Sequence, residues 1–390
     1  MRNPPMAIVI LVQTLGVGGA ERQFVQLAEG LRGRGHDVRI VALHTFSPGW
    51  RWMQQTDSVV ASALFDQAPK GPFESAGQFI AAVVQLRRLF REHKTQIAHA
   101  ANTGLVATLL WCATRGRSLP LMAWGQLGGF GLARGSPRAL YHSLAGRFSR
   151  AVSHHASVLI ANSEAGARAL RRDGFRCRRF EVIPNGIDLA RFRRDDDAGR
   201  ALRRDWGFRE SQHVVGWIGR PAPVKNLELF VRAAAVQAKC GANTRFVVVG
   251  GRHESEQLRY RQLAKELGIE EWIRWETDRE DLVPVYSGID MLCLSSVAEG
   301  SPNVVAESMA CGTPCVVTDV GAAGSIVGDT GIIVPPGSPE LLAAGINQMT
   351  GRLGEIDRQY LRNAIESRFS LEGHISAMES LYSGLLDGEP

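Results

Sequence analysis

Short apolar runs alternate along this chain with stretches whose apolar positions recur at helical spacing. Ala7 to Val12 reads as a buried strand of the parallel type. A Gly-rich turn follows (Gly16, Gly18, Gly19), then a helix from about Ala20 to Arg34 with Phe24, Leu27, Ala28 and Leu31 on its inner face. Val38 to Leu43 is the next strand, which completes a βαβ unit. Phe46 to Pro72 is irregular and supports no assignment. Ser75 to Glu92 is predicted helical, Ile97 to Ala101 a strand, and Asn102-Thr103-Gly104 opens a helix to Thr114. Leu119 to Trp124 is a further strand. Arg138 to His155 has an apolar stripe (Leu140, Leu144, Phe148, Val152) on an otherwise basic helix. Ser157 to Ala161 is a strand, Asn162-Ser163-Glu164 caps a helix to Arg172, and Glu181 to Pro184 ends in the Asn185-Gly186 turn.

The second half repeats the alternation. Strands are predicted at His213–Ile218, Phe246–Val249, Ile273–Glu276, Met291–Leu294, Cys315–Thr318 and Gly331–Val334. Helices are predicted at Leu227–Lys239, Glu254–Leu267 and Leu282–Ser287, from Pro339, and within Tyr360–Leu386. Two α/β domains of doubly wound, parallel-sheet type account for this pattern. The run Arg191 to Arg204 is charged throughout and reads as a linker, which places the boundary near residue 190.

The candidate chemistry clusters after strand ends, where parallel sheets bind ligands. Gly219-Arg220 and Lys225-Asn226 flank a loop after the strand ending at Ile218. Two fixed cations there suit a diphosphate, Arg as a fork and Lys as a point charge; solvated surface charges are the alternative. After Leu294, Glu299 and Glu307 bracket Gly300-Ser301-Pro302-Asn303. Ser301 can cap a helix whose first position takes Pro302, and the helix tip would face an anion or a sugar oxygen. Glu307 lies among Val304, Val305, Ala306, Met309 and Ala310, where a carboxylate is costly unless something binds it; a ribose diol would.

These residues resemble the E-x7-E signature of the retaining, nucleotide-sugar-dependent glycosyltransferases of group 1, or family 4, which have the GT-B fold. The resemblance also covers Ile183-Pro184-Asn185-Gly186-Ile187-Asp188 and the Gly219-Arg220…Lys225-Asn226 pair. It implies two Rossmann-like domains facing a cleft. The N-terminal domain (1–189) would bind the acceptor, and the C-terminal domain (190–360) the nucleoside-diphosphate sugar. Helices over 361–390 would cross back to the first domain.

By the same resemblance Glu299, Arg220 and Lys225 are catalytic. Gly18, Gly19, Gly219, Gly300, Ser301, Pro302, Asn303 and Glu307 bind the donor, with Thr277 and Arg279 beside its base. Many members carry a His after the strand that here ends at Trp124; Gln126 stands nearest, and with Asn102 it is a candidate sugar contact. Gln hydrogen-bonds but cannot act as a base. The implied reaction transfers a sugar to an acceptor hydroxyl with retention, needs no metal or other cofactor, and serves surface polysaccharide or glycolipid assembly; a small-metabolite acceptor or a sugar-nucleotide epimerase are the alternatives. A non-catalytic nucleotide-sugar binder would often have lost one of the four charged groups.

Composition narrows the rest. The 390 residues are 45% hydrophobic and 22% charged with net charge +6, values of a soluble globular protein that favours anionic ligands. No aromatic interleaving of the Arg-rich 138–209 region points to nucleic acid. The six Cys include no C-x-x-C pair and fit a reducing compartment. Asp195-Asp196-Asp197 offers a D-x-D pattern but lies in the charged run and reads as solvated. The apolar run at 7–12 is too short for a secretory leader, and no stretch reaches membrane-span length. A cytoplasmic location is expected. The basic 138–155 helix fits contact with an anionic inner membrane face, or a core-packed helix with a solvated face.

Overall fold

The computed structural model describes residues 4–14, 19–45, 60–67, 72–101, 104–115, 121–126, 147–241 and 243–388. The chain forms two units, Met1–Gly186 with Leu371–Pro390, and Ile187–Ser370.

The first unit is built on seven parallel strands: β1 (Ala7–Thr14), β2 (Asp37–His44), β3 (Val60–Phe65), β4 (Ile97–Ala100), β5 (Leu121–Gln126), β6 (Val158–Ala161) and β7 (Phe180–Val182), in the order β3-β2-β1-β4-β5-β6-β7. Because successive strand residues point to opposite faces, β1 feeds two cores. Ile8, Ile10 and Val12 join Leu27 and Leu31 on one side, and Val9 and Leu11 join Leu86, Phe90 and Leu110 on the other. Burial on both faces explains the unbroken apolar runs.

β3 went unassigned in the sequence because Val-Ala-Ser-Ala-Leu-Phe is a short edge strand with small residues. Of the basic stretch 138–155, only 147–155 is described; it holds a helical turn at 147–152 and a 3-10 turn, Ser153–His155. There Phe148 is exposed, with its ring 5.6 Å from Trp111, and Arg115 lies over the same indole.

The second unit has six parallel strands: β8 (His213–Ile218), β9 (Thr244–Val249), β10 (Ile273–Glu276), β11 (Met291–Leu294), β12 (Cys315–Thr318) and β13 (Ile332–Val334), in the order β10-β9-β8-β11-β12-β13. Alternation again supplies two cores, Val214, Leu292 and Leu294 on one face, Val215, Trp217, Met291 and Cys293 on the other. Strand order reverses between β8 and β11, the place where such sheets bind ligands.

Two expectations about the boundaries need correcting. The division falls at 186/187, close to the expected 190, but the charged run is part of the second unit and not a linker. Asp195 caps a helix, Asp196–Asp205, by accepting from Ala198 N. Leu202 is buried there, and Arg194 donates to Ser287 O and Thr313 Oγ1. The return to the first unit begins at Leu371, not at 361. Helix Arg358–Phe369 stays in the second unit because Leu361 and Ile365 are buried in its core and Arg362 donates to Leu189 O, Phe192 O and Ala310 O. Helix Leu371–Leu386 packs Ile375, Met378 and Tyr382 into the first core, and Arg34 pairs with Glu372 and Glu379.

His99, at the end of β4, is fully buried with Nδ1 2.6 Å from the Tyr382 hydroxyl. It lines a cavity of about 30 Å³ with Gln23, Asn162, Asn185 and His374. Burial, helped by the nearby His374, lowers the imidazole from 6.5 to about 3. Between those values the unfolded chain binds a proton that the folded chain does not, so this contribution to stability falls as pH drops below 6.5. At pH 5 the loss is about 2 kcal/mol. Urea unfolding at pH 7 and pH 5 checks this: His99→Gln is expected to lose less stability than the wild type over that interval.

Candidate active site

The functional candidates of the second unit gather where β8 and β11 end. After Ile218 the chain runs through Gly219 and the exposed Arg220 into a 3-10 turn, Pro223–Lys225. Asn226 is left-handed (φ 46°) and caps helix Leu227–Lys239 by accepting from Leu229 N. This turn is fastened to β11. Ser295 Oγ donates to the carbonyls of Lys225 and Asn226 and accepts from Trp217 Nε1, and Val297 N donates to Val224 O. Gly250, at the end of β9, sits so close that a side chain there would lie 1.8 Å from the Gly219 carbonyl oxygen. The loop after β8 therefore has a fixed floor.

The fastening sets the central pair. Lys225 Nζ lies 2.7 Å from Glu299 Oε1, and Ser296 Oγ donates to the same oxygen at 2.6 Å. The Glu299 side chain is 9% exposed and the Lys225 side chain 31%. Two groups 74 residues apart thus form a half-sheltered ion pair, worth more than a surface pair because solvent screens it less. Glu299 and Gly300 rest on the loop after β12. Ala322 N donates to Gly300 O, and Gly321 (φ 58°) approaches so closely that a Cβ would lie 2.2 Å from Glu299 O.

Helix Asn303–Ala310 follows. The expected cap is corrected by one residue: Pro302 is itself the cap position, in extended conformation, and no side chain caps the helix, so Ser301 does not play that part. One turn in, Glu307 is buried at 6% exposure, as its apolar neighbours predicted. It accepts at Oε2 from the Tyr286 hydroxyl at 2.7 Å. Burial, then the Glu307 charge, pushes the Tyr286 phenol well above its ordinary range, so it remains a donor. Burial likewise pushes the Cys311 and Cys315 thiols up to about 12, as expected of inert core thiols.

Thr277 and Arg279 are exposed at the end of β10, two strands from β8. Arg279 and Arg274 both pair with Glu276. Burial acts to raise that carboxyl, but the two arginines outweigh it and hold it below its ordinary value. Asp278 and Gly251 tie the same corner together through reciprocal hydrogen bonds.

The structure thus brings Gly219, Arg220, Lys225, Glu299, Gly300, Ser301, Pro302, Asn303 and Glu307 to one sheet end. Gly19 begins the helix Gly19–Gly33 of the other unit. Gly18, Asn102 and the side chain of Gln126 lie outside the described residues; the Gln126 backbone closes β5. Asp195 caps its helix, while Asp196 and Asp197 pair with Arg194 and Arg200. Sequence reading missed Tyr286, Ser296 and Gly321. Only Ser296 stands close enough to Glu299 in sequence to have been suspected.

Known proteins resemble the chain in sequence and in fold. Residues 17–191 match the family described as Glycosyltransferase Family 4, and residues 212–351 match Glycosyl transferases group 1. The chain belongs to the group 1 glycosyltransferases. It is 33% identical over 217 residues to a D-inositol 3-phosphate glycosyltransferase of Nocardia farcinica, covering 53% of this chain and 48% of that one. A second such relative, from Catenulispora acidiphila, is 31% identical over 243 residues, covering 58% and 56%. The chain spans about half the length of the curated relatives it matches.

Among solved structures, Anabaena HepE in complex with UDP superposes with TM-score 0.80 at 21% identity, covering 97% of this chain and all of that one. Sucrose-phosphate synthase of Thermosynechococcus elongatus gives 0.83 at 20%, covering 98% and 99%. The fold of this group 1 member is therefore GT-B.

Gly321→Ala is expected to cost the second unit about 2–4 kcal/mol, because it adds a clash with the Glu299 carbonyl to a left-handed backbone. Urea unfolding followed by tryptophan fluorescence checks this.

Proposed function

We propose that the chain transfers a sugar from a nucleoside-diphosphate sugar to an acceptor hydroxyl with retention at the anomeric carbon. The observation that carries this reading is the Lys225–Glu299 pair at the β8/β11 switch point, with Arg220 at the same strand end and a helix tip opposite. Arg220 and Lys225 supply two positive charges for the departing diphosphate. The start of helix Asn303–Ala310 adds its partial positive charge. On this reading the leaving group needs no metal. Glu299 is held by two donors, Lys225 and Ser296, so it suits a role beside the sugar hydroxyls and the developing positive charge. Glu307 takes the ribose. Attack comes from the leaving-group side, with the departing phosphate helping to take the acceptor proton, and no covalent nucleophile is assigned.

For the acceptor, the names of the curated relatives favour a small phosphorylated polyol such as D-inositol 3-phosphate. A lipid-linked saccharide is the second reading, favoured by the exposed Phe148 beside Trp111 and Arg115, which suits contact with an anionic membrane face. No helix among the described residues is long and apolar enough to cross a membrane. Product formation with D-inositol 3-phosphate or with vesicle-borne acceptor separates the two.

Arg220→Met and Lys225→Met are each expected to lower kcat by about a hundredfold, the usual cost of one preorganised donor. An unchanged kcat in both variants would overturn the assignment. NMR of the product is expected to show the donor's own anomeric configuration, with the rate unaffected by EDTA; an inverted linkage or an EDTA-sensitive rate contradicts the mechanism.

A further inference from the structure

Two imidazoles of the first unit line one small cavity, and neither has a part in the reaction proposed above. His99, on β4, has Nδ1 2.6 Å from the Tyr382 hydroxyl. Its other ring nitrogen, Nε2, is buried and has no hydrogen-bond partner among the described residues. His374, on helix Leu371–Leu386, has Nδ1 2.7 Å from the Pro184 carbonyl oxygen. Both rings line the cavity of about 30 Å³, together with Asn162 and Gln23. The Gln23 amide is engaged by the N–H and the carbonyl of Gly186.

The partners fix both tautomers. Burial lowers both imidazoles from their ordinary value, so each is neutral at pH 7 and carries one proton. A carbonyl oxygen only accepts, so His374 holds its proton on Nδ1 and keeps a lone pair on Nε2. Tyr382 is fully buried, and burial pushes its phenol above the ordinary range, so its proton stays in place. If that hydroxyl donates to His99 Nδ1, only the Nε2 proton is left without an acceptor. If Nδ1 donated instead, the phenol proton and the Nε2 lone pair would both be stranded. Each stranded buried group costs about 1–3 kcal/mol, so the first arrangement is the stable one. His99 thus offers a proton where His374 offers a lone pair.

We infer that this cavity is a binding site for an ordered water, which accepts from His99 Nε2 and donates to His374 Nε2. A water needs roughly 10–15 Å³ of such space and at least two polar partners, so the cavity admits water and is too small for a sugar ring. The pairing also selects it. A cation is turned away by the His99 N–H and an anion by the His374 lone pair, whereas water both accepts and donates. The Asn162 amide offers a third bond. Hydrogen bonds then run from the Pro184 carbonyl through His374, the water and His99 to Tyr382, which returns them to the helix that carries His374. The water would thereby fasten helix Leu371–Leu386 to β4.

The test is a crystal structure of the whole chain at atomic resolution, with the ring protons located by nitrogen-15 NMR of the labelled protein at pH 7. An ordered water is expected within about 3 Å of both Nε2 atoms. His99 is expected to be protonated on Nε2 and His374 on Nδ1. A dry cavity, a side chain accepting from His99 in place of water, or His99 protonated on Nδ1 would overturn the inference. His374→Leu is expected to lose the ordered water; a water kept in place with the same order contradicts the bridging role. Should that variant not fold, the wild-type crystal and its tautomers decide alone.

Discussion

The ion pair between Lys225 and Glu299 is the constraint around which the second unit is arranged. Neither charge is comfortable alone at a partly dry sheet end, and each is held where it is because the other is there. The pair requires two loops, from strands far apart in sequence but adjacent in space, to keep a fixed separation. That requirement explains why the surrounding hydrogen bonding joins the loop after β8 to the loop after β11, Ser295 to the Lys225 turn and Val297 to Val224, while Ser296 holds Glu299 from within its own loop. An ion pair of this kind is also a poised state. A diphosphate would compete with the carboxylate for the lysine, and the carboxylate would be released in part to sugar hydroxyls, with little rearrangement of either backbone.

The same economy appears one turn deeper. Glu307 is tolerable in its apolar helix because Tyr286 satisfies one oxygen, and Tyr286 is tolerable in the core because Glu307 satisfies its hydroxyl. Gly321 and Gly250 perform the complementary task for the backbone, letting one loop rest directly on another. Loops that cannot sag hold their charges in place, which is the condition for electrostatic stabilisation without reorganisation.

The layout was legible wherever burial acts locally. Strands covered on both faces are continuous apolar runs, so eleven of the thirteen strands among the described residues were visible, and the edge strands Val60–Phe65 and Phe180–Val182 were not. Glu307 was singled out by its apolar neighbours, and it is buried. What failed depends on contacts distant in sequence. The run at 191–204 looks like a solvated linker by composition, yet Arg194 reaches Ser287 and Thr313, and Leu202 enters the core. Helix Arg358–Phe369 has no local mark saying which unit it packs on; Arg362 and three carbonyls decide it. Tyr286 was invisible for the same reason, since 21 residues and a strand separate it from Glu307.

The central claim is that the second unit grips an activated sugar by its diphosphate. A thermal-shift series tests it most directly: nucleoside, monophosphate, diphosphate and diphosphate sugar for each base, since a ligand bound only by the folded state raises the melting temperature. The account predicts that one base series stabilises the protein, that the rise appears at the diphosphate, and that it is lost in the Arg220→Met/Lys225→Met variant. A series in which no nucleotide raises the melting temperature, or in which mono- and diphosphate act alike, would contradict it.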